Sequence, residues 1–222
     1  MSDEYGRTSG TGRLVTALAW TLLLFGLWLW GRGVTGVPQS PAGPAAGDVA
    51  GLGRAGAVRL PPAAAPLAGS VPQRLDIPQL AVTAPVVARG LDARGAIEPP
   101  PFDQPAVVGW YGSGTKPGAA GAALLVGHVD TATRPAVFYK ISTLRSGETV
   151  RVVRADGRVA RFTIDDVRVL PRDHFDAQAA YGPRVPGRAE LRLITCGGTF
   201  DRVSRSYTAN VVVSAYLTGT GP

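Results

Sequence analysis

Leu191–Gly198, LRLITCGG, runs directly into Thr199–Ala215, TFDRVSRSYTANVVVSA. The stretch reads as a strand that stops at two glycines, a polar connection, and a second strand resuming at Asn210. It holds Cys196, the only cysteine in 222 residues. Exported chains usually carry cysteines in pairs, because an oxidising compartment stabilises bridges. A lone one in a chain with an apolar N-terminal segment is either a small buried hydrophobe or a nucleophile. The two readings demand different surroundings.

Working outward, the preceding residues are short apolar runs broken by turn signals. Arg74–Val82 (RLDIPQLAV) and Ala84–Gly90 (APVVARG) read as strands. Ile97–Gly121 is too rich in proline and glycine for more than a turn or two of helix. Ala122–Val126 is a strand that leads into Gly127-His128-Val129-Asp130. Glu148–Arg154 and Arg158–Val169 form a hairpin at Ala155–Gly157, and Glu190–Thr195 and Asn210–Ala215 complete the set. Asp176–Tyr181 suits one helical turn. Seven or eight short strands without a long amphipathic helix predict an all-β barrel or sandwich. A parallel sheet is disfavoured, since the helical crossovers it usually needs are missing.

Toward the N-terminus, residues 31–70 are a Pro/Gly/Ala-rich spacer, with fragments such as SPAGPAAG, that buries too little surface to offset ordering. The folded domain is expected over 71–222. Leu14–Trp30 is seventeen residues without a charge, ending in Trp28 and Trp30 and closed by Arg32. That length reaches the lower end of the roughly 17–25 residues that span a bilayer, and interfacial tryptophans fit a membrane anchor. A cleaved signal peptide fits less well, because no small-x-small site follows. The organisation expected is a cytoplasmic tail (1–13), one transmembrane helix (14–30), and the body outside.

Formal net charge is +7, dispersed rather than massed. No basic patch or recognition motif points to nucleic acid. No phosphate-binding glycine loop or dinucleotide fingerprint occurs, and no cofactor is expected. Zinc motifs pair ligands at short spacing, such as C-x₂-C or H-E-x-x-H, and none is present, so no metal is expected. There is no G-x-S-x-G for serine hydrolysis, and Asp165-Asp166 does not make a glycosidase carboxylate pair. Two histidines occur, His128 and His174; the second lies in the polar PRDHFD and reads as surface. His128 and Cys196 each follow an apolar strand, where a barrel would present them at one end. Cys/His nucleophilic catalysis needs a thiol of lowered pKa, a nearby acid/base, and a positive group facing the developing oxyanion.

LLVGHVDT, LRLITCGGTFDRVSRSYTANVVVSA, the Ala155–Gly157 hairpin and the anchor–linker–barrel layout together resemble a sortase, and within that family the actinobacterial class F sortases. The resemblance covers Val71–Thr218. It implies a closed barrel of about eight strands with short helical turns behind one transmembrane anchor. It implies a cell-membrane cysteine transpeptidase, its catalytic domain extracellular. Such an enzyme cleaves an LPxTG-like C-terminal signal of secreted proteins after threonine, through a thioacyl enzyme. The protein then passes to an amine of a peptidoglycan precursor or another envelope acceptor. The family's nucleophile falls on Cys196 and its histidine on His128. Its arginine has no exact counterpart: Arg205 is the first choice, Arg202 the second, and the aligned position lies near Asn210. Asp130 and Thr131 are expected to order the histidine loop, Asn210 to order substrate backbone, and Trp110 and Tyr111 to form core or a groove wall. Two competing readings remain: a catalytically idle extracellular binding module, and a hydrolase without productive transfer.

Overall fold

The computed structural model describes residues 59–93, 95–173 and 175–221. The chain divides into units Met1–Arg54 and Ala55–Pro222, and every described residue belongs to the second. The expected tail, the anchor at 14–30, the spacer as far as residue 58, and His174 lie outside the described residues. Among the described residues no helix is long and apolar enough to cross a membrane.

Side chains of alternating character produce strands that bury one face. In Thr149–Arg154 the valines 150 and 152 are fully buried while Arg151 between them is exposed, as a period of two requires. Eight such strands form among the described residues: β1 (Pro72–Ile77), β2 (Val82–Arg89), β3 (Val108–Tyr111), β4 (Gly121–Val126), β5 (Thr149–Arg154), β6 (Val159–Pro171), β7 (Ala189–Asp201) and β8 (Ser206–Gly221). They close into a barrel in the order β1-β2-β3-β4-β7-β8-β6-β5, with β5 paired back to β1. Leu75, Leu125, Phe138, Phe162, Leu191 and Leu217 are among the fully buried side chains that fill it. Among the described residues helix is confined to short turns. The longest is α1 (Ala177–Tyr181), capped by the Asp176 carboxylate, which accepts from the backbone N–H groups of Gln178 (2.9 Å) and Ala179 (3.1 Å). The eight-stranded closed barrel is as expected from the sequence.

The sheet is a barrel of mostly antiparallel pairs and not a parallel sheet, but two of its pairs are parallel. β2 pairs in parallel with β3, and β4 with β7. What a parallel crossover needs is length, and residues 90–107 supply it between β2 and β3, with no helix among the described ones. The second crossover, from β4 to β7, is made by the β5–β6 side of the barrel. β7 and β8 also outrun their expected ends, pairing as far as Asp201 and Ser206 across a register shift after Gly197. Glycine is required there: a Cβ on Gly197 would lie 2.6 Å from Val211 Cγ2, and Gly198 has φ +77°.

Order begins ahead of Val71. Residues 59–70 lie along the barrel, where Tyr216 Oη donates to Pro61 O (2.6 Å), Ala64 N to Leu217 O (2.8 Å), and Leu67 N to Gly118 O (2.8 Å). The buried Arg154 guanidinium donates to Ala68 O (2.5 Å) and Pro117 O (3.2 Å) and pairs with Asp156 (2.8 Å).

Candidate active site

The β4/β7 register carries the site. Each paired residue on β7 is numbered 68 above its partner, from Gly121↔Ala189 to Val126↔Ile194 (194 − 126 = 68). Two residues further on, that offset sets His128 level with Cys196. Adjacent bonds hold this alignment past the strand end. Gly127 N donates to Ile194 O at 3.1 Å, and Thr195 Oγ1 donates to Gly127 O at 2.7 Å. The chain thus clips together the residues just before its imidazole and its thiol.

Both side chains open on one groove of about 630 Å³, which Asp130, Thr131, Arg172 and Arg205 also line. Cys196 is exposed and stands on β7 opposite Asn210 of β8. His128 is half-buried. Its Nε2 lies 2.6 Å from Pro100 O; a carbonyl only accepts, so Nε2 carries the hydrogen. Phe102 stacks on the imidazole at 4.2 Å between ring centroids and 22° between planes, while remaining 68% exposed.

The loop after His128 is ordered locally. Asp130 bridges to Pro135, Thr131 N donates to Arg134 O (2.8 Å), and Thr131 Oγ1 accepts from Arg134 N (3.2 Å). The Asp130 carboxylate accepts the hydroxyl of Tyr207 from β8, which ties the histidine loop to the cysteine hairpin. That bond is the leading reason why the Tyr207 phenol is pushed up to about 12.

The thiol departs from expectation. Crowding by protein is the largest influence and pushes the Cys196 pKa up; the Arg172 cation draws it down, and the Asp130 carboxylate adds to the rise. The net direction is upward, so the free site favours thiol over thiolate, where the sequence reading called for a lowered pKa.

Arg205 lines the groove from the tip of the hairpin, with φ +50°. Arg202 is exposed on the same turn and is not part of the groove. Asn210, paired with Cys196 on the neighbouring strand, is half-buried and does not line the groove. Trp110 and Tyr111 stand elsewhere. The Trp110 ring is buried in the core with Nε1 donating to Thr115 O (3.1 Å), and Tyr111 ends β3 away from the groove. Residues 110 and 111 follow the β2/β3 and β3/β4 pairing, which directs the tryptophan into the barrel. Sequence reading did not single out Arg172, Phe102, Phe200 or Tyr207, all of which border the groove. No ligand motif could have found them, because their neighbourhood is set by strand register. Among the described residues no group of three or more His, Cys, Asp or Glu side chains could hold a metal ion.

The family model for the sortase domain matches residues 75–218. Comparison with curated proteins gives no sequence match. Similar solved structures include sortase C-1 from Actinomyces oris, at 21% identity over 66% of this chain and 73% of that one, TM-score 0.50. The SrtA sortase from Actinomyces oris is 19% identical over 74% and 89% of the two chains, TM-score 0.53. A lid mutant of sortase A from Corynebacterium diphtheriae is 16% identical over 70% and 74%, TM-score 0.51. At such identities the structures share the fold.

Proposed function

The chain belongs to the sortase family, whose reaction is of the transpeptidase type, and from that premise we propose a cysteine transpeptidase using Cys196 and His128. The reading rests chiefly on one observation: a parallel register sets imidazole and thiol level at the rim of a common groove.

In this reading the Cys196 thiolate attacks the carbonyl of the threonine in an LPxTG-like sorting signal. The tetrahedral oxyanion collapses as the peptide bond breaks, leaving a thioacyl enzyme. His128, as imidazolium, gives its proton to the departing amine. It then takes a proton from the incoming envelope amine, whose attack releases the joined product and the thiolate. Exposed Phe102 and Phe200 at the groove suit the apolar part of such a signal. The raised thiol pKa makes the thiolate the minority form in the free site, and the reaction proceeds from that form.

Class F membership is the finer assignment, supported by TCGG-F-D and GHVD. The apolar run 14–30 supports a single-pass anchor with the domain outside the cell.

The test uses the full chain in detergent with fluorescent sorting-signal peptides, with and without glycine or diaminopimelate-type amines. The expected result is cleavage after threonine and amine-dependent joining by the wild type, abolished in Cys196→Ala and His128→Ala. Cleavage without joining turns the reading to a hydrolase. No cleavage of any peptide leaves the binding module.

A further inference from the structure

An acyl transfer at Cys196 develops negative charge at the carbonyl oxygen beside the sulfur, and a cation in the groove lowers that barrier. Both arginines singled out by sequence lie after Cys196 in the β7–β8 connection. We infer that the cation serving this role is instead Arg172, delivered from the end of β6. The inference rests on the transpeptidase reading and adds a residue to it.

Three observations converge on this position. The first is register: Leu170 of β6, Asn210 of β8 and Cys196 of β7 share one rung across the sheet. Alternation of side chains returns to the same face two residues later, which puts Arg172 on the face that bears Cys196. The second is anchorage. Arg172 N donates to Thr208 O at 3.0 Å, extending the β6/β8 ladder by a rung, and Nη1 donates to Tyr207 O at 3.3 Å. One edge of the guanidinium is thus fixed to the strand beside the thiol, and its planar fork suits a substrate oxygen. The third is access, since Arg172 lines the groove with Cys196 and His128.

Arg205 also reaches the groove, but from a four-residue turn with its own backbone at positive φ. The charged groups that border the groove around the sulfur are His128 and Asp130 from the β4 loop, Arg172 from β6, and Arg205 from the hairpin tip; Tyr207 stands among them on β8. Of the cations, Arg172 is the one whose charge draws the thiol pKa down.

The experiment compares wild type, Arg172→Ala, Arg172→Lys, Arg205→Ala and Arg202→Ala as full-length chains, with two readouts. Iodoacetamide alkylation against pH reports the thiol without any substrate. Peptide cleavage reports kcat and KM separately. The expected result is an alkylation midpoint that rises in Arg172→Ala and returns most of the way in Arg172→Lys, and stays at the wild-type value in Arg205→Ala and Arg202→Ala. Cleavage by Arg172→Ala should lose about 10²–10³-fold in kcat, as for loss of one oxyanion donor, with little change in KM. An unchanged midpoint in Arg172→Ala, or a kcat loss of that size in Arg205→Ala or Arg202→Ala with none in Arg172→Ala, overturns the assignment. If Arg172→Ala does not fold, Arg172→Lys decides by the same midpoint and kcat measurements against Arg205→Lys. A wild type that cleaves no peptide sinks the transpeptidase reading, and is seen separately from the alkylation result.

Discussion

Asp130 acts on two titrating groups near the groove, by charge on one and by a hydrogen bond on the other, and moves both in the same direction. Its charge pushes the Cys196 thiol up, and its hydrogen bond pushes the Tyr207 phenol up to about 12. Asp130→Asn keeps an oxygen that can accept the phenol proton while removing the charge. The alkylation midpoint of Cys196 should therefore fall in this variant, toward that of an ordinary cysteine. The phenol titration followed by ultraviolet absorbance should also fall from about 12 toward the ordinary 10.0. A midpoint for the thiol that rises or stays put would show that the carboxylate does not act on the sulfur. The phenol carries a stability consequence of definite sign. Its neutral form donates the bond, so the stabilisation is complete below pH 10 and is lost as pH rises toward 12. Cys196 and His128 were legible at this scale because each follows an apolar strand in a specific local motif. Arg172 was not: PRDHFD reads as any polar strand end, and its approach to Cys196 exists only once β6 and β7 are both paired to β8.

Along β7, a charged pair sits where an apolar run was expected. Glu190 and Arg192 are both fully buried, with Arg192 Nη2 at 2.5 Å from Glu190 Oε2. Burial alone would raise the Glu190 pKa, but donation from Arg184 N, Arg192 and Val185 N outweighs it and holds the carboxyl low. Arg188 joins from the side at 2.9 Å and lies over the Tyr216 ring at 4.8 Å. These side chains fasten residues 184–188 to the start of β7, the strand whose far end presents Cys196. Glu190→Gln leaves a buried guanidinium without its counter-charge, a change that costs about 3–5 kcal/mol in comparable pairs. Urea denaturation at neutral pH should show a loss of that order. The gap between wild type and variant should narrow as pH falls below the ordinary carboxylate value of 4.5, since a carboxyl held low gives up its advantage only in acid. A gap that stays constant through acid would mean the charge is not what stabilises. Strand identity was readable from alternation in β5 and β6, yet strand length was not. Gly197 and Gly198 look like a stop in the sequence, whereas in the barrel they let β7 pass close to Val211 and continue to Asp201.

At the scale of the whole folded unit, composition and packing disagree about where the barrel begins. Residues 59–70 have the proline and alanine content of a spacer, but their carbonyl and N–H groups meet fixed partners on three separate strands or loops. Tyr216 and Leu217 of β8, Gly118 ahead of β4, and Arg154 of β5 each make one such bond. Ala64 and Leu67 add apolar contact with the core. Composition could not reveal this, because extended proline-rich chain becomes ordered only when a surface offers partners at matching intervals. Arg154 makes the consequence sharp: it is 1% exposed, and without Ala68 O one of its donors is buried with nothing to accept it. A chain starting at Val71 should therefore be less stable than one starting at Arg59. Leaving one buried donor of Arg154 without its acceptor costs about 1–3 kcal/mol, which sets the scale of the loss. Denaturant midpoints of the two chains measure it directly, and Arg154→Met in the longer chain separates the buried donor from the rest of the strap. Equal midpoints would mean that the strap rests on the barrel without stabilising it, and that the folding unit starts at Val71 after all.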